Sequence, residues 1–327
     1  MEIVKESKKT YLRGINEKLA KKFKESSLCT LVKEDKDLLA CIRNNAIGIY
    51  HLTDKVAMVH CNREGELVCD VNDFYVSGKH TGKEHQYKAG VLCTKIRDIK
   101  ANSLSRSTPE KNAQHTLVSN NNSNPDSEWF CTDIEYRQSE KVQEFTCQKF
   151  KGRFDIIAVS KKAPHRIAVI ELKYNSSAIA GTAGIVKHIM DFKRFSQKTE
   201  CLENLCSEIV CQLHNLHQIG VNVPERLLKT SYNFSGKIEF YVITLWDNKS
   251  THNPKETMGR YLFNDLRKKW VEENSTCVSK KNAMKETGID VENNPPFDIK
   301  FLFKKVQSPT DFNIDDILQD TLYDCVL

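Results

Sequence analysis

The 327-residue sequence predicts an α/β protein of α+β-like character: a central mixed β-sheet flanked by helices, plus a smaller N-terminal α+β domain. Three observations lead there. The chain is 39% hydrophobic and 28% charged with only 13 Gly and 8 Pro, a globular composition rather than a disordered or fibrous one. Between residues 38 and 76, short β-prone runs alternate with turn residues. From residue 107 onward the order becomes helix, three strands, helix, strand, which packs as helices on a mixed sheet. The length suffices for one large or two ordinary domains. Polar residues 100–109 make the best candidate linker, so the expected division is 1–105 and 106–327.

Taken in order, residues 1–26 read as a charged helix with Leu12, Ile15, Leu19 and Phe23 at spacings of three to four. Leu38–Arg43, Ala46–Leu52, Val56–Cys61 and Glu66–Val76 follow as strands, separated by Asn44-Asn45, Thr53-Asp54 and Arg63-Glu64-Gly65, a pattern of hairpins or a meander. A helix begins at Ser107 or Thr108, with Pro109 in its first turn and Glu110 at the positive end of its dipole; it is expected to stop near Val118 before Asn120–Pro125. Strands are predicted over Trp129–Arg137, Arg153–Ser160 and Arg166–Tyr174, close enough together to run antiparallel. Helices then cover Ile185–Phe195 and about Glu200–Ile219. The apolar strand Lys237–Trp246 joins the sheet. A helix around Met258–Glu273, a strand near Phe297–Lys304 and an acidic tail complete the chain.

A formal net charge of +6 and a pI near 8.6 permit a nucleic-acid partner without demanding one. The charged segment Met1–Lys24 lacks the apolar run of a signal peptide, and no stretch approaches the ~20 apolar residues of a membrane span, so a soluble cytoplasmic protein is expected. Twelve cysteines contain no Cys-x-x-Cys pair. Cys201, Cys206 and Cys211 are spaced by five, which on a helix turns successive thiols about 140° apart, too far to converge on one ion. Reduced, structural cysteines are the expectation.

Chemistry concentrates in residues 152–174. Asp155 enters one apolar strand, and sixteen residues later Glu171 and Lys173 interrupt the next. Side chains alternate at period two, so Glu171 and Lys173 share a face, and a hairpin brings Asp155 beside them. Charges in apolar strands are costly unless paired or bound to metal. Phosphodiester hydrolysis gives a reason for them: Asp155 and Glu171 offer hard oxygen ligands to Mg²⁺, and Lys173 can orient water or neutralise charge growing on a phosphate. The alternative is a structural ion cluster at a sheet edge. Phe297-Asp298-Ile299-Lys300 is a rival Asp-x-Lys, but it lacks a preceding strand with an acid at its start, and Pro295-Pro296 opens it directly from a loop. The chain has no GxxxxGK[ST], GxSxG, HExxH or GxGxxG motif.

With those residues, segment 108–246 resembles the PD-(D/E)xK, or restriction-endonuclease-like, nuclease superfamily, whose common core is helix, three strands, helix, strand. Asp155 matches the family's acid at the start of the second strand, and Glu171 and Lys173 match its Glu-x-Lys in the third. Phe154 stands where the family has proline. The resemblance implies a further acid, Glu110 from the preceding helix or Glu135 from the first strand, and a supporting side chain such as Lys187 or His188 from the following helix. Lys187 with Asp191 also forms an i,i+4 surface pair. Tyr136 and Tyr174 could stack on bases, although alternation favours core packing for both. The implied activity is a Mg²⁺-dependent endonuclease, with Mn²⁺ able to substitute, acting on DNA in restriction or phage defence. The implied partners are nucleic acid, a second copy of the chain, and a protein reached through the N-terminal domain; no membrane is implied. A nuclease fold that only binds nucleic acid or protein is the competing reading.

Overall fold

The computed structural model describes residues 2–4, 13–138, 152–175, 185–196, 199–229, 231–250, 254, 299–309 and 312. It is a mixed α/β protein with two sheets. The expected helix around Met258–Glu273, the turn 176–184, Asp298 and the acidic tail lie outside the described residues.

The smaller sheet is an antiparallel meander in the order β2-β3-β4-β5-β6, formed by Leu38–Arg43 (β2), Ala46–His51 (β3), Asp54–Cys61 (β4), Leu67–Asn72 (β5) and Glu84–Lys88 (β6). Asn45, Leu52 and Thr53 take positive φ in its two tight turns. Before it lie α1 (Glu17–Lys24), capped by Asn16, and α2 (Ser27–Glu34), capped by Ser26. Between β5 and β6 sits the short α3 (Asp73–Ser77), and α4 (Ala89–Leu104) follows β6.

Three sequence expectations change here, the first being that the strand expected over Glu66–Val76 ends at Asn72, its last residues forming α3. The predicted 1–26 helix is confined, within the described residues, to α1, and Glu2–Val4 is instead a strand (β1) paired antiparallel to the strand Ser231–Trp246 (β10). Residues 100–104, read as linker, form the last turn of α4, where Ile99 and Ser103 are buried.

The larger sheet has the order β1-β10-β9-β8-β7, with β11 (Ile299–Lys305) parallel to β10. Trp129–Tyr136 (β7), Phe154–Ser160 (β8) and His165–Tyr174 (β9) run antiparallel as expected, and β10 lies parallel to β9. Strand β10 begins at Ser231 rather than at 237 because its first residues pair with β1. One face packs against α5 (Pro109–Ser123): Ala113 and Leu117 meet Ile156, Ala168, Ile170 and Leu172. The other meets α6 (Ile185–Ser196) and α7 (Thr199–Gln218) through Ile157, Ile167, Val169, Ile189, Phe192, Leu205 and Ile209.

Helix α5 is capped by Thr108 as expected but runs past Val118 to Ser123. Its asparagines compete for backbone elsewhere in the fold, not in their own helix. The Asn122 amide closes both bonds to Cys131 of β7, donating to its carbonyl (2.9 Å) and accepting from its N–H (2.7 Å). Buried Asn121 donates to Ser127 Oγ at 2.6 Å. The nine cysteines among the described residues are free, and burial pushes the thiols of Cys69 and Cys206 up to about 12.

The two sheets share one apolar cluster and a buried ionic node. Asp133, in β7, accepts from Arg13, from Arg43 of β2 at 2.6 Å, from Gln212 of α7 at 3.0 Å and from its own neighbour's N–H. Arg13 also lies 4.6 Å from the Tyr136 ring, and the Tyr136 hydroxyl donates to Glu208 at 2.5 Å. Burial, partly offset by Arg13, pushes the Glu208 carboxyl from 4.5 up to about 7. Glu208 therefore binds its proton more tightly folded than unfolded. Its contribution to stability is full below pH about 4.5 and is lost as pH rises through about 7. Glu208→Gln is expected to remove that slope and to be the more stable form at pH 8. At roughly 1.4 kcal/mol per pH unit the gain is at most about 3 kcal/mol. Denaturant unfolding of both proteins across this range checks it; parallel stability curves would contradict it.

Candidate functional site

The site grows from the odd-numbered face of β9. Residues 168, 170, 172 and 174 point into the α5 core, so Glu171 and Lys173 continue the face of Ile167 and Val169 toward α6. Across the ladder, Ile156 pairs with Ile170 as the last registered pair, and Asp155 and Glu171 are the next residues along their strands. The Leu172 N–H donates to Asp155 Oδ2 at 2.9 Å, fixing that carboxylate at the strand edge. The structure thus brings together the three residues singled out from sequence, all of them buried.

Glu171 is fully buried. Lys173 Nζ lies 2.7 Å and His188 Nε2 3.1 Å from its Oε1, while its Oε2 has no hydrogen-bond partner among the described residues. His188 therefore comes into the site from α6, whereas Lys187, one residue earlier, is exposed. Asp191 is buried and pairs with Arg194 at 3.3 Å, so the ion pair seen on this helix is not the one expected with Lys187.

Glu110 reaches the site from the first turn of α5, its Oε1 3.6 Å from Lys173 Nζ. Glu135 falls between the registered pairs Ile134–Ile156 and Tyr136–Phe154, as Asp155 does, but it has φ of 53° and pairs with Arg153 at 2.7 Å. Of the two candidate extra acids, Glu110 is the one in contact with the Lys173 ammonium. Tyr136 and Tyr174 are buried, which leaves neither ring open to a base.

The electrostatics are those of a strained acidic pocket. Burial pushes the Asp155 carboxyl well above the usual carboxylate range, and Glu171 beside it adds to the rise. Burial pushes Glu171 up to about 7, with Lys173 pulling the other way. Burial opposes the charge on Lys173, but Glu171 and Asp155 outweigh it and hold the ammonium above the ordinary lysine value. His188 is lowered by burial and then by Lys173. Two carboxylates forced together with one ammonium lack a full complement of positive charge, which a divalent cation would supply.

The donor set suits a hard cation. Among the described residues no group of three or more His, Cys, Asp and Glu side chains gathers to hold a metal. Mg²⁺ needs no such cage, since it is commonly held by one or two carboxylates with water and phosphate oxygens completing its shell. Asp155 and Glu171 provide that pair, and the Glu171 Oε2, without a partner among the described residues, fits the role.

One residue in the site escaped the sequence reading. Thr244 of β10 pairs in register with Lys173, is fully buried, and its hydroxyl has no hydrogen-bond partner among the described residues. It is a polar residue inside the apolar run Phe240–Trp246, the same signal that marked Glu171.

No family model, curated protein or solved structure matches the chain. Among the described residues no helix is long and apolar enough to cross a membrane.

Proposed function

We propose that the chain is a Mg²⁺-dependent nuclease of the PD-(D/E)xK, restriction-endonuclease-like kind, acting as a DNA endonuclease in restriction or phage defence. The observation that carries this reading is the buried trio: Asp155 beside Glu171 and bonded to the Leu172 N–H, with Lys173 2.7 Å from Glu171 Oε1 and no hydrogen bond to Glu171 Oε2 among the described residues. The order α5, β7–β9, α6–α7, β10 supports it, because it is the element order of that superfamily's core. Mg²⁺, with Mn²⁺ able to replace it, would be held by Asp155 and Glu171. When bound it would polarise the scissile phosphate and lower the pKa of water.

The chain's own residues divide the remaining work. Lys173 stays protonated and can donate to a phosphate oxygen as negative charge develops there. His188 and Lys173 converge on one oxygen of Glu171 and set the carboxylate's orientation, leaving its other oxygen free to face a ligand. Glu110 touches the same ammonium and helps to hold it. The hydrophobic packing behind Glu171 keeps bulk water out and strengthens these interactions.

Cleavage of supercoiled DNA in Mg²⁺ tests this reading. Wild type is expected to nick or linearise the DNA, and Lys173→Ala and Glu171→Ala each to lose at least about 10²-fold in rate. Equal activity in all three proteins would place the chemistry elsewhere. Tight binding by all three without cleavage of DNA or RNA would favour a nuclease fold that serves only to bind.

A further inference from the structure

We propose that loop 77–83 of the N-terminal sheet, together with Arg106 and Lys111, forms a track for the phosphate backbone of the DNA that flanks the cut. The proposal rests on the nuclease reading of the Asp155–Glu171 site.

The loop Ser77-Gly78-Lys79-His80-Thr81-Gly82-Lys83 is exposed throughout, basic, and contains neither an acid nor an apolar side chain. Such a loop has nothing to bury, yet it is braced. Gly78 and Gly82 both take φ of 72°, which other residues adopt only with strain. Ser77 Oγ donates to Asp73 O (3.0 Å), Lys79 N–H to Ser77 Oγ (3.2 Å), Lys83 N–H to Thr81 Oγ1 (3.2 Å) and Thr81 Oγ1 to Asp73 Oδ2 (2.7 Å). Of the two neighbouring acids, Asp73 is occupied, bonded to Thr81 and to His85 at 2.8 Å, and Glu84 is exposed next to Lys83. Lys79 and Lys83 are exposed, and among the described residues no ion pair engages either. A cationic loop held in shape without a ligand loses little entropy on meeting an anionic one.

A chain of side chains leads from this loop to the catalytic pocket. The His80 ring stacks on Phe74 at 4.4 Å, and the Arg106 guanidinium lies 5.3 Å from that same ring. Arg106 and Lys111 share Asp54, at 3.9 Å and 2.5 Å. Lys111 follows Glu110, which touches Lys173. Successive contacts therefore link the loop, the α4–α5 junction and the Glu110–Lys173 pair; Lys79, Lys83 and Arg106 are exposed, and half-buried Lys111 shares the single carboxylate of Asp54 with Arg106, which leaves a net positive charge there. A polyanion whose scissile phosphate sits at Lys173 has its neighbouring phosphates to place, and this stretch carries positive charge for them.

The test is the salt dependence of binding of full-length protein to a short duplex DNA in EDTA, where no cutting is expected. Lys79→Ala/Lys83→Ala lies on an exposed loop and spares the core. It is expected to weaken binding and to make the slope of log K against log salt shallower by roughly 0.9 for each phosphate that the protein no longer neutralises. Lys21→Ala/Lys24→Ala, an exposed pair on α1, is expected to leave the slope unchanged. The track is overturned if wild type binds no DNA, if the loop variant keeps the wild-type slope, or if both pairs lower it equally. Binding and cleavage are read separately. A protein that binds through the loop but never cuts removes the nuclease reading alone; one that cuts with an unchanged slope removes the track alone.

Discussion

Asp155→Asn is expected to abolish cleavage while making the metal-free protein more stable. The asparagine carbonyl can still accept from the Leu172 N–H, so the strand edge keeps its bond. What disappears is a buried carboxyl whose ionisation is opposed by burial and by Glu171 beside it. The folded state raises the Asp155 pKa above its unfolded value of 3.8, so the carboxyl's contribution is full below that pH and is lost as pH rises toward the raised folded value. At pH 8 wild type bears that cost and Asp155→Asn does not. Mg²⁺ should reverse the order: at a hundred times its Kd it stabilises a one-site protein by about 2.7 kcal/mol, and the variant should gain little. Thermal melts with EDTA and with Mg²⁺ check both halves. A variant less stable than wild type in EDTA would mean that Asp155 is held by a structural ion pair rather than kept charged for a ligand.

Asp133→Ala is expected to cost about 3–5 kcal/mol, because it leaves two largely buried guanidinium groups without their carboxylate. Arg13 and Arg43 come from the N-terminal part of the chain and Gln212 from α7, so the change should loosen the joint between the two sheets. Asp133→Asn retains one acceptor oxygen and should fall between. Denaturant unfolding gives the magnitudes. A cost under about 1 kcal/mol would mean that water takes over the pairing.

Asp133 also shows why the site was only partly legible in the sequence. It is an acid flanked by apolar residues in a strand, as Asp155 is, and the same reasoning applies to both. They differ in what the fold brings to them. Asp133 receives two guanidinium groups from residues 13 and 43, some ninety or more positions away, and period-two alternation carries no trace of such pairings. Asp155 receives a second carboxylate. That neighbour could be read in advance because it is local: β8 and β9 are joined by a short turn, which fixes their register up to Ile156–Ile170 and so brings 155 near 171. Thr244 was missed for the opposite reason, since its place beside Lys173 depends on a parallel pairing across two helices.

The same division holds for the fold. The meander 38–72 and strands β7–β9 follow from alternation and turn residues, and α5 follows from Thr108-Pro109-Glu110. The end of α5 could not be read, because Asn120–Asn122 resemble a helix stop until their amides are seen bonded to Phe312, Ser127 and Cys131. Strand β1 was hidden in a charged N-terminal segment, where helical spacing was the stronger local signal and pairing with β10 decided the outcome.

A titration of Mn²⁺ into the full-length protein, followed by calorimetry and repeated with Asp155→Asn and Glu171→Gln, tests the central claim most directly, because it depends on no choice of nucleic-acid substrate. The prediction is binding by wild type that either substitution weakens by at least about tenfold, with Mg²⁺ competing for the same site. Mn²⁺ binding of equal strength in all three proteins, or none in wild type even with DNA present, would contradict a metal site at Asp155 and Glu171 and leave the trio as a structural ion cluster.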